Sequence, residues 1–556
     1  MEFSRRGWSP RSTVVAITLL ASLTLLNAQQ PVQVKLDDGS YSGLTANGVN
    51  KFLGVRYAAP PRRFAPPVPA SMAPHNEVLN ATAFAPSCIQ AIPAAIAATM
   101  PSGPESEDCL FVNVYAPSSP PPAEGRTVMV WYYGGGFQFG SANTPMFDGS
   151  GFAQNQDVIV VTPNYRTSAS GKKALLIIVT AVFGFPGDVE GIPPQMRNVG
   201  LMDQKLALQW VQRNIKAFGG DPNKVTLFGE SAGGSSVDLL LLTSGAQPSF
   251  RAVITESGTA YLVTGPQAGG DIIGLMTGLL GRPNMKTPFQ TLATSLKCGS
   301  QKALDCVRAA PVEALVSILS TGPFNFPPVA DGDTNVPTSP DATRASGKVP
   351  KIPMMIGTNL READIFTMGQ PPTALNAFVA ATFPGDDALQ KAVTAAYPVG
   401  AGMPFPTPKD AITQFATDLD WSCSIAHEAR LSAQAGVPTW RYLFNSTSFP
   451  PTPGGILSRP VHGSEISFVF GNLPPAPATP GQALALSKFM QTAWANFAKN
   501  PANGPGVPAW TQFSGKPGAM DLGNLGGIVG DGVSMTDSNV IDSRCNLFDA
   551  SYARKV

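Results

Sequence analysis

The segment KVTLFGESAGGSSVDLLLL, Lys224–Leu242, carries three kinds of sequence in a row. KVTLFG is apolar and β-branched, as a buried strand of a parallel sheet should be. SAGGSSVDLLLL has the composition of a buried helix. Between them stands Gly229-Glu230-Ser231-Ala232-Gly233. A G-x-S-x-G sequence between a strand and a helix is the setting of a nucleophile elbow. The sharp turn lifts the serine Oγ above the sheet, and the glycines let neighbouring backbone come close. The helix that starts there turns free N–H groups toward any negative charge that develops. The five-residue pattern alone is weak, because Gly and Ser fill many loops. The strand before it and the helix after it carry the reading.

Working outward, RTVMVWYY (Arg126–Tyr133), DVIVVTPNYR (Asp157–Arg166), AVITESG (Ala252–Gly258) and KIPMMIGT (Lys351–Thr358) read as further buried strands. GLMDQKLALQWVQRNIKAFGG repeats its apolar residues at steps of three and four through Leu208, Val211, Ile215 and Phe218, with Leu201 on the same stripe. That is an amphipathic helix, and Gly219-Gly220-Asp221-Pro222 is expected to end it in a turn. Strands alternating with helices predict an α/β architecture with a large, mostly parallel central sheet. No repeat or long linker divides the 556 residues, and the Pro-rich NLPPAPATPGQ reads as a surface loop. Charged residues make up 13%, against about 25% in ordinary soluble chains. A net charge of +1 gives no reason to expect nucleic acid or an anionic membrane as partner.

The N-terminus has its own logic. Arg5, Arg6 and Arg11 precede the apolar run Val14–Leu26, and Ala28 follows at a cleavage-like LNA. This is the layout of a secretory signal peptide over residues 1–28, with a signal anchor as the alternative. The run is shorter than the ~20 residues that span a bilayer. Residues 29–556 are then expected to form one catalytic domain of a secreted, extracellular protein. Asn80-Ala-Thr82 and Asn445-Ser-Thr447 are N-glycosylation acceptors. The six cysteines, Cys88, Cys109, Cys298, Cys306, Cys423 and Cys545, suit three disulfides in an exported chain. No C-x-x-C or H-x-x-x-H spacing occurs, so neither a metal nor another cofactor is expected. The only histidines are His75, His427 and His462.

FGGDPNKVTLFGESAGG (Phe218–Gly234) resembles the active-serine signature of the type-B carboxylesterase/lipase family, which includes fungal secreted lipases, carboxylesterases and cholinesterases. ESEDCLFVNVYAP (Glu105–Pro117) resembles its second signature. The likeness runs from about Val34 to Phe548 and implies a single large α/β-hydrolase domain. It implies an oxyanion hole from the N–H groups of Gly135 and Gly136, in WYYGGGFQFG, and of Ala232. His462, in PVHGSEISFVFGN, matches the family's histidine loop. His75 precedes every strand of the machinery, and His427 lies on an amphipathic helix. The family's acid stands in G-x-N-x-x-E-G, matched by Gly357, Asn359 and Glu362, with Ala363 in place of the last glycine. Glu362 is preferred to Asp364, and Asp331 and Asp333 read as turn residues. Ser257 matches a serine near the triad with a supporting hydrogen bond. The implied pairings are Cys88–Cys109, Cys298–Cys306 and Cys423–Cys545, the last with a counterpart in the cholinesterase branch.

These residues imply a Ser-His-Glu hydrolase of carboxylic esters. The Cys88–Cys109 loop carries Ile89, Ile92, Ile96 and Met100, and in the family this loop borders the gorge. Two readings stand: an apolar lid suited to lipid-like esters, or a packed surface loop. It holds no tryptophan, which argues against choline esters. The expected partner is a small-molecule or lipid ester, and any contact with a lipid interface would be transient. A short-chain carboxylesterase is the alternative. An adhesion protein that keeps the fold would lack the serine, and Ser231 is present. One segment departs from the family: SASGKKALLIIVTA, Ser168–Ala181, separates NYRT from VFGFPG. A true insertion, a membrane-contacting hairpin and a translated intron compete, and the intron is preferred because removal restores NYRTVFGFPG.

Overall fold

The structure is a computed structural model that describes residues 30–552 except 72–76, 91–102, 168–181, 265–287, 300–301, 322–323, 325, 368–373, 451–457, 517 and 528–529. Twelve strands form the path of its main sheet: β1 (Gln30–Lys35), β2 (Ser40–Ala46), β3 (Val49–Arg56), β4 (Phe111–Pro117), β5 (Arg126–Tyr132), β6 (Ile159–Pro163), β7 (Gly220–Glu230), β8 (Ala252–Glu256), β9 (Met354–Asn359), β10 (Thr439–Phe444), β11 (Met520–Leu525) and β12 (Val533–Asp537). Their order across the sheet is β1-β2-β3-β4-β6-β5-β7-β8-β9-β10-β11-β12, and the short strand Val78–Asn80 pairs with β2. Every pair from β6 to β11 is parallel. Antiparallel pairs close both ends. This is the predicted α/β-hydrolase architecture.

The sheet lies in the middle because its central strands are apolar on both faces. All residues of β5, β6, β8, β9 and β10 are buried. Side chains alternate across a strand, so β5 sends Met129 and Trp131 into one core and Val128, Val130 and Tyr132 into the other. Helix α1 (Val199–Asn214) covers the second core with Leu208 and Val211. A 3₁₀ turn, Ile215–Phe218, extends it to Gly219 at φ 86°. The sequence reading continued the turn through Pro222, and here the structure corrects it. Gly220 already belongs to β7, paired with Arg126 before the ladder shifts register and resumes at Val225.

A third apolar cluster gathers Phe378, Phe415, Tyr397 and Trp421 around Cys423 and Cys545. The three disulfides join the expected cysteines: Cys88 to Cys109, Cys298 to Cys306 and Cys423 to Cys545. The last spans 122 positions, a constraint worth on the order of 4–5 kcal/mol in the chain-entropy view. It ties helix α3 (Cys423–Gln434) to the C-terminal segment. His427 on α3 reinforces that tie, with Nε2 3.1 Å from Asp341 and Nδ1 3.2 Å from Asp549. Burial opposes its protonation, but hydrogen bonds and charge from the two carboxylates outweigh that and raise its pKa. The same contacts lower the pKa of both partners against the effect of burial.

Ser168–Ala181 lies outside the described residues, but its flanks are informative. Thr167 and Val182 are buried, and Gly184 N–H donates to the Thr167 carbonyl at 2.8 Å. With the segment removed, that bond becomes the i to i+3 bond of a β-turn. Joining Thr167 to Val182 is therefore expected to give a folded protein whose midpoint of thermal unfolding equals or exceeds that of the full chain. Calorimetry of the two proteins checks this, and a collapsed midpoint would mean that the segment is part of the fold. A second outcome concerns His427. A raised histidine pKa stabilises the fold fully below the unfolded value and ceases to do so as pH rises through the folded value. The stability difference between wild type and His427→Gln should be largest at mildly acidic pH and shrink above neutrality. A difference that does not change with pH contradicts the ion-pair account.

Candidate active site

Between Val225 and Leu242 every residue is buried except Ser231. It sits between β7 and helix α2 (Ala232–Thr243) with φ 57° and ψ −124°. A non-glycine residue held there is strained by roughly 1–3 kcal/mol, and the surroundings fix it. Ser231 N–H donates to the Glu256 carbonyl at 2.8 Å, and its own carbonyl accepts from Ser235 N–H at 2.8 Å. The turn also needs its glycine. A Cβ on Gly233 would lie 1.9 Å from the Tyr132 carbonyl oxygen, so α2 can start this close to β5 only without a side chain there.

The loops that follow the neighbouring strands meet at this corner, at the C-terminal ends of the parallel strands where α/β sheets bind ligands. After β5, Gly135 and Gly136 have φ 105° and 62°. A Cβ on Gly135 would lie 2.3 Å from the Phe139 carbonyl oxygen. Gln138 and Phe139 donate to the Gly135 carbonyl and close the turn. The N–H groups of Gly135, Gly136 and Ala232 make no hydrogen bond among the described residues. Ser231 lies on the neighbouring strand: a Cβ on Gly134 would lie 2.9 Å from that of Ser231.

After β9 the chain turns back so that Glu362 is fully buried. Its Oε1 accepts from Asn359 N–H at 2.7 Å and from the Ser257 hydroxyl at 2.6 Å. Its Oε2 lies 2.7 Å from His462 Nδ1. Three donors on one carboxylate hold it in a single orientation. Asn359 also locks the two loops together, donating through Nδ2 to the Val461 carbonyl at 2.8 Å and to the Glu465 carboxylate. The other face of the imidazole is covered by Trp421 and Phe366, with ring centroids at 5.0 and 5.4 Å. His462 Nε2 approaches Glu230 Oε1 at 3.2 Å, in a geometry that is not aligned for a hydrogen bond. Burial, then the charges of Glu362 and Glu256, push the Glu230 carboxyl well above the usual range.

The structure thus brings Ser257, Glu362 and His462 together beside the Ser231 elbow and the Gly135-Gly136 turn. It keeps the other candidates elsewhere. Asp364 takes ion pairs from Arg361 and Arg459. Asp331 accepts three backbone N–H groups of its own turn, and Asp333 accepts one from Thr338. His427 serves the C-terminal tie, and His75 lies outside the described residues. Asn80 is exposed and Asn445 half-buried. Of the apolar residues in the Cys88–Cys109 loop, Ile89 packs on the core, whereas Ile92, Ile96 and Met100 lie outside the described residues. Sequence reasoning missed Glu230, Glu465, Trp421 and Phe366. The two glutamates had a signal, one beside Ser231 and one three residues after His462. The two rings reach His462 only through the fold.

Comparison with known proteins bears on the family. A family model described as Carboxylesterase family matches residues 30–526. The para-nitrobenzyl esterase of Bacillus subtilis (strain 168) is 33% identical over 490 residues, covering 84% of this chain and 89% of that protein. Secreted lipase 5 of Gibberella zeae is 30% identical over 560 residues, covering 91% and 94%. A solved PNB esterase structure superposes with a TM-score of 0.70 at 29% identity, covering 93% of this chain and 99% of that one. With two thirds of each chain exceeded in every case, the protein belongs to the carboxylesterase family and is a carboxylic ester hydrolase.

Proposed function

We propose that Ser231 is the nucleophile of a Ser-His-Glu triad with His462 and Glu362, acting on apolar, lipid-like carboxylic esters outside the cell. The observation that carries this reading is that Ser231 alone is only half-buried between Val225 and Leu242, close to a histidine held by a buried carboxylate. Neutral His462 takes the hydroxyl proton through Nε2 as Ser231 Oγ attacks the ester carbonyl. The oxyanion is received by the N–H groups of Gly135, Gly136 and Ala232, each of a kind worth roughly 3–4 kcal/mol in the transition state. His462 then gives the proton to the leaving alcohol, and water repeats the cycle on the acyl-enzyme. Glu362 holds the Nδ1–H tautomer and stabilises the imidazolium without taking its proton. Ser257 supports Glu362 through its hydrogen bond.

Residues 1–28 are read as a signal peptide, and three disulfides and the likeness to a secreted lipase support an extracellular setting. Among the described residues no helix is long and apolar enough to cross a membrane. Asn80 and Asn445 are the expected glycan sites, with Asn80 the more accessible. The likeness to a secreted lipase supports the lipid-like reading, and the likeness to a para-nitrobenzyl esterase supports a second reading, a short-chain carboxylesterase without lipase activity.

Replacing Ser231 with Ala should lower kcat by up to about a millionfold, as removal of such a nucleophile does elsewhere. Glu362→Gln should lower kcat by roughly four orders of magnitude, while Asp364→Asn, which loses only partly exposed ion pairs, stays within a few-fold of wild type. The reverse order for the two acids would overturn the choice of Glu362. With p-nitrophenyl esters of increasing acyl length, kcat/KM should rise toward the long chains. A maximum at acetate or butyrate would select the short-chain reading instead.

A further inference from the structure

Behind His462 lies a row of acidic side chains that the proposed mechanism does not use. β7, β8, β9 and β10 align Glu230 with Glu256, Glu256 with Gly357, and Gly357 with Tyr442. Residues paired across parallel strands project to the same face, so these groups stand side by side. Gly357 leaves the space into which Tyr442 leans, because a Cβ there would lie 2.3 Å from its ring. Glu256 is fully buried. Its Oε1 accepts from Trp494 Nε1 at 2.8 Å, on helix α4 (Gly481–Lys499). Its Oε2 has no partner among the described residues, and neither has the Tyr442 hydroxyl. Glu465 and Glu362 approach the same row from the two loops above it. Among the described residues no Lys or Arg ion-pairs with any of these four glutamates, and the only base against them is His462.

We propose that Glu256 acts as a charge gate for the active site: uncharged, it lets His462 and the oxyanion hole work, and charged, it suppresses turnover. The inference rests on the triad proposed above. Four neighbouring carboxyl groups, two of them against one imidazole, cannot all ionise in a buried place. Glu362 is the one that meets three donors. Glu230 and Glu465 are held protonated, first by burial and then by the charge of their neighbours. Glu256 stands between these cases. Burial raises its pKa to about 8, and the Trp494 hydrogen bond pulls in the other direction. It is therefore the member of the row that changes charge just above neutral pH. Its backbone carbonyl already holds the Ser231 N–H, so the new charge appears close beneath the elbow. A negative charge there opposes the oxyanion that forms as Ser231 attacks. Glu256 itself touches neither substrate nor the reacting atoms.

The size of the effect follows from Coulomb's law. A unit charge about 10 Å from the oxyanion, at an effective dielectric constant of about 20, slows the step on the order of tenfold. The test is the pH profile of kcat/KM for a p-nitrophenyl ester, from about pH 6 to about pH 10, with spontaneous hydrolysis subtracted. Wild type should lose about tenfold with a midpoint near pH 8. Glu256→Gln keeps the shape and the acceptor for Trp494, so it should match wild type near neutrality and lack the decline. Trp494→Phe removes the donor that favours the charged form, so its decline should move to higher pH. This variant also keeps the idea testable if Glu256→Gln does not fold. A decline of unchanged midpoint in Glu256→Gln overturns the proposal, and so does a Trp494→Phe midpoint that stays or falls. Either result, with Ser231→Ala inactive, leaves the triad standing. Turnover retained in Ser231→Ala would sink the triad itself.

Discussion

The structure depends on a backbone conformation at one residue. Ser231 is held at φ 57°, where a β-substituted residue is strained, and nothing local relieves it. The turn exists because β7 and α2 are each locked into buried layers and must be joined in a single residue. Glu256 supplies the acceptor for the Ser231 N–H, and Gly233 supplies the space against Tyr132. The strain is thus borne by the parallel sheet. The same joint exposes Oγ and starts a helix with its N–H groups unspent. Geometry that costs stability at the joint is what makes a serine useful there.

The remaining parts converge because parallel strands all end on the same edge. The Gly135-Gly136 turn follows β5, Ser231 follows β7, Ser257 follows β8, and the Glu362 loop follows β9. His462 comes from the long connection after β10. No two of these are neighbours in sequence, but the sheet puts their loops side by side. Side-chain bonds then cross-link the loops: Ser257 to Glu362, Asn359 to Val461 and Glu465, and Glu362 to His462. The acid and the histidine are therefore cross-linked through their loops, as the preorganised site of the proposed mechanism requires.

Much of this was legible in the sequence, and the reasons differ from part to part. The strands announced themselves because both faces of a parallel strand are buried, which leaves an uninterrupted apolar run such as VMVWYY. The elbow was legible because its chemistry is local: strand, glycine, serine, glycine and helix lie within twenty positions. Glu362 and His462 came through the resemblance and not from spacing, since a hundred residues separate them. The helical run ends at Gly219 as expected, but the turn after it was drawn too long because Gly-Gly-Asp-Pro has the composition of a turn. In the fold, Gly220 still finds a strand partner in Arg126 across the sheet. The row Glu230, Glu256, Tyr442 was invisible for a related reason. Register between strands decides it, and a single chain read end to end does not state register.

His427 and His462 show how much surroundings decide. Each sits within about 3 Å of two carboxylates. The partners of His427, Asp341 and Asp549, are partly exposed and stay ionised, so the imidazole is drawn toward a permanent cation that serves as a clamp. The partners of His462 are buried, and burial separates them. Glu362 accepts from three donors, whereas Glu230 has none and its carboxyl is pushed well above the usual range. The proposed base is thus oriented by one carboxylate through a single hydrogen bond, whereas His427 is clamped between two. Among the described residues no Lys or Arg ion-pairs with Glu230, Glu256 or Glu465, and a cation placed there would favour their ionised forms and add the second charged partner that His427 has.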